Sequence, residues 1–284
     1  MWDLLFLYIL YFNSLGIIYI MNFLIYFLIA ILGTVIGSFL NVVICRFNTG
    51  RSVSKGRSIC FSCSTTLKWY ELIPLVSFVM QLGKCRTCRN KISFQYPIVE
   101  FLTAIIFTLT AYKLSNILSI SYSSFIIITT VTSFIFCLWI VMLAYDIKHK
   151  IIPDILSYTS FFSAVVLAGI IWGPDAIAPT LLASFVVALP FALLFFLSKG
   201  KWMGFGDAKI ALSIGALLGI SAGFTSLMIA FWIGAVFSII ILLLGKTKWG
   251  LKTEIPFAPF LIISSWIVFF LSLNFDKLIN LFIL

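Results

Sequence analysis

Three groups of residues in this chain have types and spacings suited to chemistry. The first is a pair of carboxylates. Asp207 ends the run Gly204-Phe205-Gly206-Asp207 and opens a long apolar stretch, while Asp146 stands in Ala144-Tyr145-Asp146-Ile147-Lys148 at the end of another. An ionised Asp within a membrane helix costs a few kcal/mol unless it is paired, hydrated or used. Two carboxylates a few ångströms apart cannot both ionise cheaply, so they share a proton. One can then act as general base on a water while the other, protonated, polarises a carbonyl. Hydrolysis of a peptide bond by an aspartyl dyad needs that arrangement, and its titration belongs to the pair. The two glycines ahead of Asp207 carry no Cβ and permit close backbone approach.

The second group is Cys60-Phe61-Ser62-Cys63 and Cys85-Arg86-Thr87-Cys88, with 21 residues between the pairs. Two C-x2-C knuckles at this separation match a tetrahedral four-cysteine zinc site. A pair of disulfides is the alternative, disfavoured on the cytoplasmic side of a membrane, where the basic residues around the knuckles place them. The third candidate is Glu100 in Tyr96-Pro97-Ile98-Val99-Glu100, an acid inside an apolar run that either lines a cofactor pocket or pairs with a basic residue.

Other nucleophiles are poor. His149, the only histidine, lies between two lysines and reads as a headgroup neighbour, and Cys45 and Cys137 read as small buried hydrophobes. The acids also have local readings. An N-cap role suits Asp207 and, better, Asp154 after Pro153. For Asp146, at a helix C-terminus, the macrodipole is unfavourable, which invites a functional explanation.

The elements that must position these groups are membrane helices. The chain of 284 residues is 62% hydrophobic and 10% charged, which excludes a soluble core with a polar shell. Its fold class is an all-α polytopic membrane protein with about eight transmembrane helices: 23–45, 97–113, 119–143, 154–172, 177–198, 207–221, 224–244 and 255–274. The net charge of +10 sits in short clusters between apolar runs, without a basic face interleaved with aromatics, so nucleic acid is not a partner. With 46–96 placed inside, the loops 144–153, 199–206 and 245–254 follow, and all Lys and Arg except Lys113 and Lys277 fall on the inner side or at inner helix ends. That topology puts Asp146 and Asp207 on one membrane face although they are 61 residues apart. Gly33, Gly37 and Ser38 lie at helical spacing suited to a close helix contact, and Asn41 near the end of the same span needs a hydrogen-bond partner. Residues 69–79 read as an interfacial segment, short and interrupted by Pro74. Residues 1–20 read as an extra helix, a surface segment or an extension upstream of a natural start at Met21.

Taken together, Gly37-Ser38-Phe39-Leu40-Asn41-Val42, the paired knuckles, Tyr96-Pro97-Ile98-Val99-Glu100, Asp146 with Ile152-Pro153-Asp154, Gly204-Phe205-Gly206-Asp207-Ala208-Lys209 and Pro256-Phe257-Ala258-Pro259-Phe260 resemble the type IV prepilin peptidases. These are polytopic aspartyl peptidases of pilus, type II secretion and competence systems. The resemblance runs from Gly33 to about Phe260; only the stretch before Met21 departs from the pattern. It implies that Asp146 and Asp207 are the catalytic pair and that Cys60, Cys63, Cys85 and Cys88 bind a structural zinc. It also implies a second activity, methylation of the new N-terminal amine from S-adenosylmethionine. Substrates would be pilin or pseudopilin precursors with a short basic leader, cut after a glycine ahead of a hydrophobic helix. The enzyme would sit in the bacterial cytoplasmic (inner) membrane with its active site facing the cytoplasm. Residues 21–113 would form the methyltransferase part, with the zinc loop 46–96, and residues 114–284 the peptidase domain. The basic loop would not attract a basic leader; its charge serves topology and anionic membrane lipid.

Two alternatives stand beside this. Tyr145-Asp146 and Gly204-Phe205-Gly206-Asp207 also resemble presenilin-like intramembrane proteases, against which the knuckles and Ile152-Pro153-Asp154 argue. A cation transporter using the acids as ligands would need more His, Asp or Glu within the spans, and Glu100 is the one clear extra.

Overall fold

A computed structural model describes the backbone of residues 2–283, apart from 51, 119–120, 202 and 244–254, and, within 23–280, the side chains of all but those residues, 118 and 279. The expected inner loop 245–254 lies outside the described residues. The chain forms two compact units, Met1–Ser119 and Ile120–Leu284. The regular structure of the described residues is helical with no strand; the loop 47–94 is mainly turns and carries the isolated bridges Ile59–Thr66 and Lys84–Lys91.

The first unit pairs two long helices, α1 (Trp2–Arg46) and α3 (Gln95–Leu118), joined by a polar loop that carries the short α2 (Val76–Met80). Residues 2–20 are helical and continuous with the first span, not a separate helix; their side chains lie outside the described residues. The glycines behave as their spacing predicts. A Cβ on Gly33 would lie 2.7 Å from the Ala104 Cα, and one on Gly37 would lie 2.7 Å from the Glu100 Cα, so α1 and α3 touch backbone to backbone. Asn41 finds partners: its Nδ2 donates to the carbonyls of Tyr96 at 3.1 Å and Gly37 at 3.3 Å. Where α1 ends, the Arg46 guanidinium gathers the loop by donating to the carbonyls of Ser52, Lys55 and Arg57. Between the knuckles, Trp69–Leu72 is one 3-10 turn followed by α2, so the segment is too short to span, as its Pro74 predicts.

The second unit contains α4 (Tyr122–His149), α5 (Asp154–Trp172), α6 (Ile177–Ser198), α7 (Phe205–Leu243), α8 (Ala258–Leu271) and α9 (Phe275–Ile283). Over the described residues of both units, six helices are long and apolar enough to cross a membrane. The spans expected at 207–221 and 224–244 fall in one 39-residue element, α7, broken at Gly219 with φ 77° and ψ −176°. An unbroken helix of that length would run about 58 Å, twice the hydrocarbon core, and a left-handed residue is where glycine escapes a steric cost. The break is a reversal. On the first leg, Phe205 meets Phe195 and Gly215 lies against Ser184. On the second, Gly223 lies against Val187 and Phe231 stacks on Phe191. The legs therefore run in opposite directions along α6, with Gly219 at the bend. The gap expected between the spans, residues 222–223, falls three to four residues after the bend, because apolar residues continue through it.

Helix contacts here are made by small residues and hidden hydroxyls. Ser226 bonds Ser265 at 2.9 Å, and the Trp139 Nε1 donates to the Ser213 Oγ at 3.0 Å. Without water, each of these groups must find its partner inside the protein. Phe136 and Trp139 are fully buried and form the centre of an aromatic cluster with Trp266, Phe269 and Phe270. Together with the approach of Asp146 to Ala258 and Asp207, these contacts set α4 antiparallel to both α8 and the first leg of α7.

Candidate active site and metal centre

Asp146 and Asp207 are 6% and 7% exposed, and the charge on Asp146 is felt at Asp207. The structure thus brings together in one unit two acids that the sequence places far apart. Asp207 is the third residue of α7, where the positive end of the helix favours a carboxylate. The N-cap role considered for it does not hold: the helix begins two residues earlier, at Phe205.

Asp146 lies in the last turn of α4, and the backbone N–H of Lys150, a left-handed C-cap, donates to its carbonyl at 2.8 Å. The field of its own helix is unfavourable there, but a second helix supplies the answer. The Ala258 backbone N–H, the first of α8, donates to the Asp146 carboxylate. The rest of that helix start is already satisfied: Pro259 has no N–H, and Phe260 and Leu261 donate to the Phe257 carbonyl. Asp146 therefore caps α8 from another helix and meets its positive end. Pro256-Phe257-Ala258-Pro259-Phe260 thus has a role beyond starting a helix: it presents the N–H that holds one carboxylate. The signal available in the sequence was Pro259 directly after Ala258, a proline at the start of an apolar run that marks a helix N-terminus.

The two glycines of Gly204-Phe205-Gly206-Asp207 are not equivalent. A Cβ on Gly206 would sit 2.8 Å from the Ile152 Cδ1 and 3.0 Å from its Cβ, whereas one on Gly204 would meet only the Gly206 nitrogen at 4.0 Å. Ile152 belongs to the four-residue link between α4 and α5. Two residues on, Asp154 is not the N-cap expected of it. Pro153 occupies that position, and the Asp154 carboxylate pairs with the Lys209 ammonium. His149 is exposed and packs on Tyr145 at a centroid distance of 4.4 Å, remaining a surface residue.

In the first unit the sulfurs of Cys60, Cys63, Cys85 and Cys88 all lie within 4.8 Å of one another, a cluster able to hold a metal ion. None of the six cysteines is in a disulfide. The knuckles repeat one local design. Ser64 N–H donates to the Cys60 carbonyl and Arg89 N–H to the Cys85 carbonyl, and Ser64 and Arg89 are both left-handed, at φ 57° and 59°. Asn90 Nδ2 donates to the Ser62 Oγ, tying one knuckle to the other. Hydrogen bonds with Thr65, through side chain and backbone, draw the Cys63 thiol down to about 6. The backbone of Cys88 and Thr87 lowers Cys85. Cys88 moves the other way, to about 11: the Asn90 backbone favours its thiolate, but desolvation and its bonds with Cys85, Cys63 and Cys60 outweigh that.

Glu100, 6% exposed, pairs with no basic residue among the described residues. Its Oε2 accepts the Leu75 N–H at 2.7 Å, and the Ser38 hydroxyl also bonds it. Leu75 itself is left-handed, at φ 60°. Close by on α1, Asn41 is 1% exposed with its Oδ1 unpartnered.

Comparison with known proteins covers both units. Residues 31–114 match the profile of the bacterial peptidase A24 N-terminal domain, and residues 133–239 match that of the type IV leader peptidase family. Curated relatives named prepilin leader peptidase/N-methyltransferase include one from Bacillus subtilis, 30% identical over 81% of this chain and 87% of the relative. One from Myxococcus xanthus is 31% identical over 79% of this chain, which spans 65% of that relative's length. One from Vibrio cholerae is 28% identical over 86% of this chain and 95% of the relative. No solved structure matches. The Asp pair falls inside the second matched stretch, the cysteines and Glu100 inside the first, and the chain belongs to the type IV leader peptidase family.

Proposed function

We propose that the protein is a membrane aspartyl endopeptidase that removes the leader of type IV prepilin-like precursors and then methylates the new N-terminus. The observation that carries the peptidase reading is the buried pair Asp146 and Asp207, each at the positive start of a short helix. By residue count, α8 and the first leg of α7 are about 21 Å long, short of the roughly 30 Å core. A peptide bond ahead of a hydrophobic substrate helix needs acids near the membrane face. The distribution of Lys and Arg supports a cytoplasmic orientation for that face, in what the family relationship suggests is a bacterial inner membrane.

The chemistry then follows from two acids holding one proton. The ionised carboxylate takes a proton from a water as its oxygen attacks the scissile carbonyl carbon. The protonated partner donates to the carbonyl oxygen, where negative charge develops. Collapse of the tetrahedral species breaks the C–N bond, and a carboxyl proton passes to the departing amine. The Ala258 N–H and the seat of Gly206 on Ile152 hold the two side chains to this task.

The cysteine cluster would hold zinc through Cys60, Cys63, Cys85 and Cys88. Tetrahedral Zn–S bonds of about 2.3 Å set sulfurs about 3.8 Å apart, and the Cys60 and Cys88 sulfurs lie 3.9 Å apart. Held there, such an ion would order a loop with little core of its own. S-adenosylmethionine supplies an electrophilic methyl group when bound. The unpartnered Asn41 Oδ1 and the buried Glu100 carboxylate fit the polar groups of such a donor, and we assign Glu100 to that pocket.

The test is cleavage of a precursor by the Asp146→Asn and Asp207→Asn proteins. Each is expected to insert normally and lose cleavage altogether. Full activity in either removes that residue from the mechanism.

A further inference from the structure

Beyond the two acids, one side-chain cluster in the second unit has no role in the reaction as derived. The Lys209 ammonium is enclosed on three sides: by the Asp154 carboxylate, by the Tyr158 ring with its centroid at 5.9 Å, and by the Phe205 ring at 5.3 Å. Lys209 is 14% exposed and Asp154 62%. An ion pair with one partner that exposed contributes little to stability, so burying a lysine to make it needs another reason.

Helical geometry supplies one. Gly206 and Lys209 are three residues apart and share a face of the first leg of α7. That face meets a single short stretch of chain: Gly206 lies on Ile152, and Lys209 pairs with Asp154. Asp207 is turned about 100° from Gly206 and 200° from Lys209, so it points away from the seat. The stretch 152–154 in turn leaves the end of α4, the helix that carries Asp146. Two contacts on one face fix a helix against rotation about its axis. At about 6 Å from the axis a rotation of about 10° moves a side-chain tip by roughly 1 Å, and an error of that size costs about 100-fold in rate.

We propose that Asp154 and Lys209 form a clamp that sets the rotation of α7 and thereby aims Asp207 at Asp146; both are positioning residues for the peptidase reaction. The inference rests on the reading of Asp146 and Asp207 as the catalytic pair.

The experiment uses the full chain in proteoliposomes with one prepilin-like precursor, measuring kcat and KM separately. Lys209→Met and Asp154→Asn are each expected to lower kcat about 10- to 100-fold with KM within about twofold. The double variant should be no worse than the weaker single, because the two residues act as one unit. Lys209→Arg and Asp154→Glu, which keep the pair, should restore kcat to within about threefold of the parent. Asp154→Asn changes an exposed side chain and carries the test if Lys209→Met does not insert. Full kcat in either single variant that inserts, losses that multiply in the double, or no rescue by Arg and Glu would each overturn the clamp. Asp146→Asn, run beside them, separates the failures. Activity there ends the dyad reading, whereas an inactive Asp146→Asn with a fully active Asp154→Asn ends the clamp alone.

Discussion

Gly206→Ala is the smallest change that tests how the site is held. The added methyl would lie 2.8, 3.0 and 3.2 Å from the Cδ1, Cβ and Cγ1 of Ile152, where ordinary contact begins at 3.4 Å. Ile152 cannot swing clear as a unit, because its Cβ is fixed to the backbone of the α4–α5 link. The start of α7 must therefore retreat by about 0.5 Å, the tolerance within which catalytic groups hold their geometry. Asp207 is the next residue and moves with it. The expected result is a fall in kcat of about 10-fold or more with little change in KM. Gly204→Ala is the matched control, since its Cβ meets nothing closer than 4.0 Å; its kcat should stay within about twofold, as for other uncrowded sites. Ile152→Val added to Gly206→Ala removes the nearest atom and should recover part of the loss. The assay is precursor cleavage by equal amounts of inserted protein, followed by the change in substrate mobility. Parental kcat in Gly206→Ala, or equal losses in the two glycine variants, would refute the steric account of this motif.

Two further outcomes are expected. Elemental analysis of purified protein should find one zinc per chain, and Cys→Ser at Cys60, Cys63, Cys85 or Cys88 should lower protein level before it lowers cleavage; a zinc-free protein with normal stability rules the metal out. A protein carrying both Asp146→Asn and Asp207→Asn should still methylate a pilin supplied already cut, with labelled S-adenosylmethionine as readout, while Glu100→Gln should impair methylation more than cleavage. Loss of methylation in a well-folded double variant would mean the two reactions share their acids.

What the sequence revealed of this site and what it hid divide along one physical line. Features carried by a local pattern were legible. Gly33 and Gly37 announced a close contact by their spacing, the two C-x2-C knuckles announced a cluster, and apolar runs announced the spans. Features that depend on a distant partner were not. Nothing near Asp154 in the chain indicates Lys209, so a residue after a proline read as a helix cap when it is half of an ion pair. Glu100 gave the same difficulty: its partner is the amide of Leu75 in an irregular turn, and backbone amides carry no residue-type signal. The turn at Gly219 was obscured differently, because apolar composition continues through it and only the backbone angle marks the reversal.

The placement of Asp146 shows why long-range partners matter for function. Judged against α4 alone, the carboxylate sits at the wrong end of a helix. Judged with α8, it satisfies the one free N–H of a helix start otherwise closed by Pro259 and the Phe257 carbonyl. The same hydrogen bond serves folding, by capping α8, and chemistry, by fixing one carboxylate where the other can share its proton. Asn keeps an oxygen that accepts the Ala258 N–H but cannot take a proton from water. Ala loses both properties, and loss of a cap costs about 1 kcal/mol. The amide substitution therefore separates catalysis from helix capping at this position, and the dyad is better probed by Asn than by truncation.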